Sequence, residues 1–116
     1  MNYRYMDRKQ LIKAELERCA NAKPEIRRPT YTELGNAVGI PPLGPWQPVL
    51  DSIAKDAEDA NEPDLTFLPR NARTGFPSRI GRTTKRNPEP WQRKKAHDEM
   101  QKIIDKYNPG QRNPFP

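Results

Sequence analysis

Apolar residues recur at helical spacing in four stretches of this chain, each bounded by residues that start or stop a helix. Leu11, Ile12, Leu16 and Cys19 share one face of a first helix that Asp7 can cap and that runs to about Ala20. Pro24 blocks any continuation, leaving NAKPEIRRP as a connector. Thr30-Tyr31-Thr32-Glu33 has the form of a capping box. Behind it Tyr31, Leu34 and Val38 form a stripe, Gly39 can take the left-handed conformation, and Pro41-Pro42 prevents resumption. This second helix has only about two turns, so packing must hold it.

The third stretch is the most regular. Trp46, Val49, Leu50, Ile53, Ala54 and Ala57 match the amphipathic template, with Pro45 or Pro48 as the first helical residue and Asn61-Glu62-Pro63 as the stop. A short helix, a glycine-proline turn and a longer amphipathic helix make the order of a helix-turn-helix. Leu65–Leu68 then favours a strand, confined to an edge by Pro69, and Phe76–Ile80 can return as a second after the turn residues 71–75. Two such strands would make a wing. A final helix is expected from Pro90 or Trp91 to Tyr107, with Ala96, Met100, Ile103, Ile104 and Tyr107 on its apolar face.

The predicted fold is therefore mainly α: a winged helix-turn-helix with a small two-stranded wing and flanking N- and C-terminal helices. A single domain spans residues 1–107. Within it, 28–81 is the helix-turn-helix plus wing, 81–90 a basic linker and 90–107 the last helix; residues 108–116 form a disordered tail. The expected core is Tyr31, Leu34, Val38, Trp46, Val49, Leu50, Ile53, Leu65, Phe67, Ile103 and Ile104, joined by Leu11, Ile12 and Leu16.

Composition narrows this picture. Only 33% of the 116 residues are apolar and 14 are proline, so the core must be small. Cys19 is the sole cysteine and His97 the sole histidine, which leaves neither a disulfide nor a metal-ligand cluster to expect. His97 lies off the stripe of its helix and reads as a surface residue. No apolar run approaches the roughly 18–20 residues that cross a bilayer. MNYRYMDRKQ also lacks the apolar segment of a secretory signal. The expectation is a cytoplasmic protein without a membrane, metal or cofactor.

Charge is unevenly distributed. Residues 1–28 carry eight Lys/Arg against four Asp/Glu, 29–65 one against seven, 66–95 nine against one, and 96–116 three against three. A −6 block thus precedes a +8 block within a net +6 chain. Such asymmetry can orient a polyanion on one face.

TYTELGNAVGIP, the amphipathic helix after it, and LTFLPRNARTGFP together resemble the winged-helix, C-terminal half of O6-alkylguanine-DNA alkyltransferases and alkyltransferase-like proteins. The resemblance covers about residues 28–81 and is best at Tyr31, Glu33, Leu34, Gly39 and Pro41. It implies a winged-helix scaffold, and a scaffold does not fix function. It does not imply alkyl transfer, because Pro69-Arg70-Asn71 stands where the family has its nucleophilic cysteine. The duplex-inserting arginine likewise has no counterpart among Gly44, Pro45 and Trp46.

No phosphate-cradling glycine loop, metal spacing or Ser-His-Asp grouping is present, so a non-catalytic protein is expected. The leading expectation is binding of DNA (or RNA), with wing-led phosphate contacts from Arg70, Arg73, Arg79, Arg82, Lys85 and Arg86. Asn71 and Thr74 would add neutral donors, and Gln47 would reach base edges from the start of the third helix. The rival expectation is a protein-docking module or small inhibitor of a protein or nucleoprotein partner, for example a phage- or plasmid-encoded anti-defence protein. Asp51, Asp56, Glu58 and Asp59 would form its acidic face, together with the basic wing.

Overall fold

The computed structural model describes residues 5–41, 44–81 and 88–115, and the protein is mainly helical over them. A 3-10 turn, Tyr5–Arg8, leads into α1, Lys9–Ala20. Then come α2, Tyr31–Val38, and α3, Trp46–Asp59. Two further 3-10 turns, Leu65–Phe67 and Ser78–Ile80, precede α4, Pro90–Tyr107. Among the described residues no helix is long and apolar enough to cross a membrane. Arg82, Lys85 and Arg86, with most of the expected basic linker, lie outside the described residues.

α2 forms as its local code dictates. Thr30 Oγ1 accepts from the Glu33 N–H at 3.1 Å, and the Thr30 N–H donates to Glu33 Oε1 at 2.9 Å. At the other end Gly39, at φ 73°, closes the last turn, and the Ile40 N–H reaches the Gly35 carbonyl. In α3 the first helical residue is Trp46, behind Pro45. α4 starts at Pro90, and the Glu89 N–H donates to Gln92 Oε1 at 2.9 Å. Gln92 is itself buried and its Nε2 donates to the Ile80 carbonyl at 3.4 Å, so this helix start is tied to the second of the later 3-10 turns.

One core joins these elements. It holds Ile12, Leu16 and Cys19 of α1, Leu34 and Val38 of α2, Val49, Leu50 and Ile53 of α3, and Met100, Ile103 and Ile104 of α4. Tyr5, Ile26, Ile40, Leu68 and Ile80 join them from the connecting segments. Leu11 does not. Its side chain is 51% exposed, because the buried face runs through residues 12, 16, 19 and 20 and Leu11 sits about 100° to one side of Ile12. Asp7 does not cap α1 either. It lies inside the first 3-10 turn, and Arg8 holds the cap position without a side-chain bond.

The two expected strands are replaced by 3-10 turns, and among the described residues there is no strand. Asp64 explains the first: its carboxylate accepts from the Thr66 N–H at 2.9 Å and the Thr66 hydroxyl at 2.5 Å, folding the backbone back on itself. Leu65, Thr66, Phe67 and Leu68 are all buried, so the one-in, one-out alternation of a half-buried strand is missing. Pro69 and Pro77 remove ladder donors on each side of the intervening loop. What remains of pairing is a single parallel bridge between Thr30 and Arg70.

The segment expected as a disordered tail packs on the domain through residue 115. Asn113 Nδ2 donates to the His97 carbonyl at 3.1 Å, Gln111 Oε1 accepts from the Ile26 N–H at 2.8 Å, and His97 Nδ1 pairs with the Phe115 carbonyl. Phe115 is 4% exposed and stacks on Phe76 with centroids 5.1 Å apart. One aromatic with a matching partner overrides a composition that otherwise favours disorder.

Two consequences of the α2 cap are measurable. Thr30→Ala is expected to lower unfolding free energy by about 0.5–2 kcal/mol in a urea titration, with Thr30→Ser costing much less. The bond from the Thr30 N–H, first among the causes, holds the Glu33 carboxyl below its ordinary value of 4.5. That contribution is present above the ordinary value and is lost as pH falls through the lower folded one. Glu33→Gln keeps the acceptor without the titration, so wild type should lose more stability than this variant on acidification through that window.

Candidate nucleic-acid interface

The start of α2, the start of α3 and the loop after Pro69 meet at an open groove of about 580 Å3. Thr30, Tyr31 and Thr32 line it from α2, Pro45, Trp46 and Gln47 from α3, and Arg70, Asn71 and Arg73 from the loop. An aromatic floor fixes the angle between the two helices. Trp46 meets Tyr5 edge-on at 5.0 Å and Tyr31 at 5.9 Å. Tyr5 also donates to the Pro41 carbonyl, and a Cβ on Gly44 would overlap its ring, so the turn before α3 needs glycine there. Tyr31 Oη lies 2.7 Å from Ser78 Oγ and accepts from the Ser78 N–H at 2.9 Å. Burial, the largest effect, raises the Tyr31 pKa.

The arginine loop is anchored at its root and folded on itself. The Arg70 N–H donates to the Pro29 carbonyl at 2.9 Å and Arg70 Nε to the Arg28 carbonyl at 3.2 Å, which sets Arg70 beside the start of α2. Asn71 then organises the turn. Its N–H donates to the Phe76 carbonyl at 2.9 Å, and its Oδ1 accepts from the Arg73 N–H at 2.8 Å. The Thr74 hydroxyl accepts from the Phe76 N–H at 3.1 Å. Asn71 and Thr74, expected as donors to a ligand, thus use a side-chain acceptor each to shape the loop. Arg73 stands exposed at its tip.

Below the loop lies Arg28, which pattern reading passed over. Its Nη2 donates to the Gly75 carbonyl at 2.9 Å and its guanidinium sits 4.3 Å from the Phe115 ring centroid, while its Nε is buried without a hydrogen-bond partner. Burial first, and the Arg70 charge second, lower its pKa to about 10, so it stays a cation at neutral pH. No periodicity flags an arginine in a connector as half-buried.

Arg79 is placed elsewhere. Its Nη1 lies 2.6 Å from Asp51 Oδ1, and its side chain is 13% exposed. Gln47 Nε2 donates to the same oxygen at 3.1 Å. Arg79 therefore fastens the Ser78–Ile80 turn to α3. The acidic face of α3 is matched by cations of the chain: Asp56 by Lys9 at 2.7 Å and Asp59 by Lys55 at 3.1 Å, in addition to Asp51. Lys9 is the leading cause that lowers the Asp56 pKa. Glu58 is exposed on the same helix.

In consequence the described residues lining the groove include two arginines and no carboxylate, in a chain with 15 Asp/Glu. Helix geometry adds donors. The capping box serves Glu33, so the Tyr31 and Thr32 amides have no acceptor within α2; α3 has no side-chain cap, which leaves the Gln47 amide in the same position. Both positive helix ends border the site. Cys19 is far from such chemistry in character: it is buried in the core, and burial pushes its thiol pKa up. Among the described residues no group of His, Cys, Asp or Glu could hold a metal ion. Comparison with protein-family models, curated proteins and solved structures finds no match to this chain.

The Arg79–Asp51 contact can be checked by a double-mutant cycle. Arg79→Met and Asp51→Ala should show a coupling at or above the roughly 0.2–1 kcal/mol found for fully exposed pairs in urea unfolding, because the Arg79 side chain is largely covered. Additive effects would mean that Arg79 is free in solution.

Proposed function

We propose that this chain is a non-catalytic nucleic-acid-binding protein that holds phosphates in the groove between α2, α3 and the arginine loop. The observation that carries the reading is the convergence of Arg70 and Arg73 with two helix starts on a groove with no carboxylate among its described lining residues. Phosphate oxygens accept from guanidinium and from first-turn amides alike, so one backbone segment satisfies both kinds of donor. On this reading α2, its Gly39 turn and α3 act as a helix-turn-helix, and loop 70–77 stands where the wing was expected. The resemblance of residues 28–81 to the alkyltransferase winged helix supports the scaffold alone.

α3 would approach by its first turn. Gln47 is the residue there that can reach a base edge, while Glu58 and Asp59 lie at the far end and would repel phosphates if the helix lay along a groove. Asp51, Asp56 and Asp59 are each paired within the chain, which supports the nucleic-acid reading over docking of a protein partner on that face.

Replacing Arg70 and Arg73 together by Gln should reduce the slope of log K against log salt by about 1.8 on duplex DNA, at roughly 0.9 per phosphate. The loss should be nearly uniform across sequences. Arg79→Gln should leave the slope unchanged. Failure of the wild-type protein to bind duplex or single strands at about 50 mM salt would sink the reading.

A further inference from the structure

A second basic hollow lies beside the groove, and sequence reading assigned it nothing. It measures about 460 Å3 and is bounded by the connector 22–28 on one side and residues 111–114 on the other. Lys23, Arg27, Arg28 and Arg112 line it, with Glu25 the one carboxylate among its lining residues. It is built by contacts between distant segments. Ile26 donates to Gln111 Oε1 at 2.8 Å, Asn108 Nδ2 to the Pro24 carbonyl at 3.0 Å, and Lys23 Nζ to the Tyr107 carbonyl at 3.1 Å. Lys23, Arg27 and Arg112 are exposed, and Arg27 stands 4.0 Å from Glu33 at the limit of an ion pair.

The hollow and the groove adjoin through two residues of backbone. Arg28 lines the hollow, Thr30 lines the groove, and two extended residues span about 7 Å. At the junction Arg70 Nε donates to the Arg28 carbonyl, and the Arg70 charge is close enough to lower the Arg28 pKa, so two arginines adjoin there with no ion pair to a carboxylate among the described contacts. Two like charges in such proximity raise the local potential on both sides. An anionic ligand passing from one depression to the other would lower it.

We propose that the hollow formed by Lys23, Arg27, Arg28 and Arg112 is a second phosphate-binding strip that continues the groove, so that one nucleic-acid backbone runs from Arg73 past the Arg28–Arg70 junction to Arg112. This rests on the nucleic-acid reading of the groove and extends its footprint to the C-terminal segment. The strip positions the backbone and reads no bases. It also gives the packed tail a role, because Gln111 and Asn113 hold Arg112 at the edge of the hollow.

The test is the salt dependence of full-length protein on two DNA duplexes, one of about 20 base pairs and one too short to span both depressions. For Arg27→Gln/Arg112→Gln, and for the same pair with Lys23→Gln, the slope on the long duplex should fall by about 1.8 and about 2.7. Both variants should lose less of the slope on the short duplex, which occupies one depression at a time. The charge-preserving Arg27→Lys/Arg112→Lys should restore the long-duplex slope, which separates charge from folding. An unchanged slope in both neutralised variants overturns the strip while leaving the groove reading intact. Equal losses on both duplexes also overturn it, since the cations would then not extend the footprint. Wild-type protein that binds neither duplex removes the groove reading and the strip together. Capture of the hollow by an acidic peptide, with no duplex-length dependence, would assign it to a protein partner and overturn the proposal.

Discussion

The short pairing of residues 28–30 with Arg70 is the constraint on which the rest of the site depends. One backbone bond from Arg70 to the Pro29 carbonyl, one side-chain bond from Arg70 to the Arg28 carbonyl and a single parallel bridge at Thr30 bring together segments 40 residues apart. Thr30 then caps α2, so the direction of that helix and the root of the arginine loop are set at one point. The arrangement carries a cost, because it presses Arg28 against Arg70 in a half-buried place. The Phe115 ring and the Gly75 carbonyl offset it in part, which ties the C-terminal segment and the loop to the same junction.

The same junction explains how an acidic block and a basic block coexist without cancelling everywhere. Arg79, Lys9 and Lys55 are matched to Asp51, Asp56 and Asp59, and Lys106 lies 3.8 Å from Glu62. These pairs are mostly exposed and each contributes little stability. Their effect is spatial. The carboxylates are held on the flank and far end of α3, and the groove at its start is left to arginines, helix amides and an aromatic floor. On the proposed reading this separation, more than net charge, decides where a polyanion lands.

The helices were legible because their signals are local. Thr30, Glu33 and Gly39 encode a start and a stop within ten residues, and the stripes of α3 and α4 need no tertiary information. The 3-10 turns were not legible, since Leu65–Leu68 has the composition of a strand and only the Asp64 carboxylate, two residues from Thr66, decides the backbone. Site residues divided along the same line. Arg70, Arg73 and Gln47 reach the groove as their loop and helix positions imply. Arg79 does not, because its partner lies 28 positions away on α3, and Arg28 was missed because a half-buried arginine in a connector leaves no periodic trace. The alternation of charge blocks along the chain says nothing of which pairs form in space.

The most direct test of the account is a map of backbone amide chemical shifts during titration with a duplex of about 20 base pairs at low salt. The largest changes are predicted at Tyr31, Thr32, Gln47 and the loop from Asn71 to Arg73, with those amides broadening or shifting before any on the far end of α3. Changes centred instead on Glu58, Asp59 and the end of α3, or a spectrum unmoved by DNA, would contradict it.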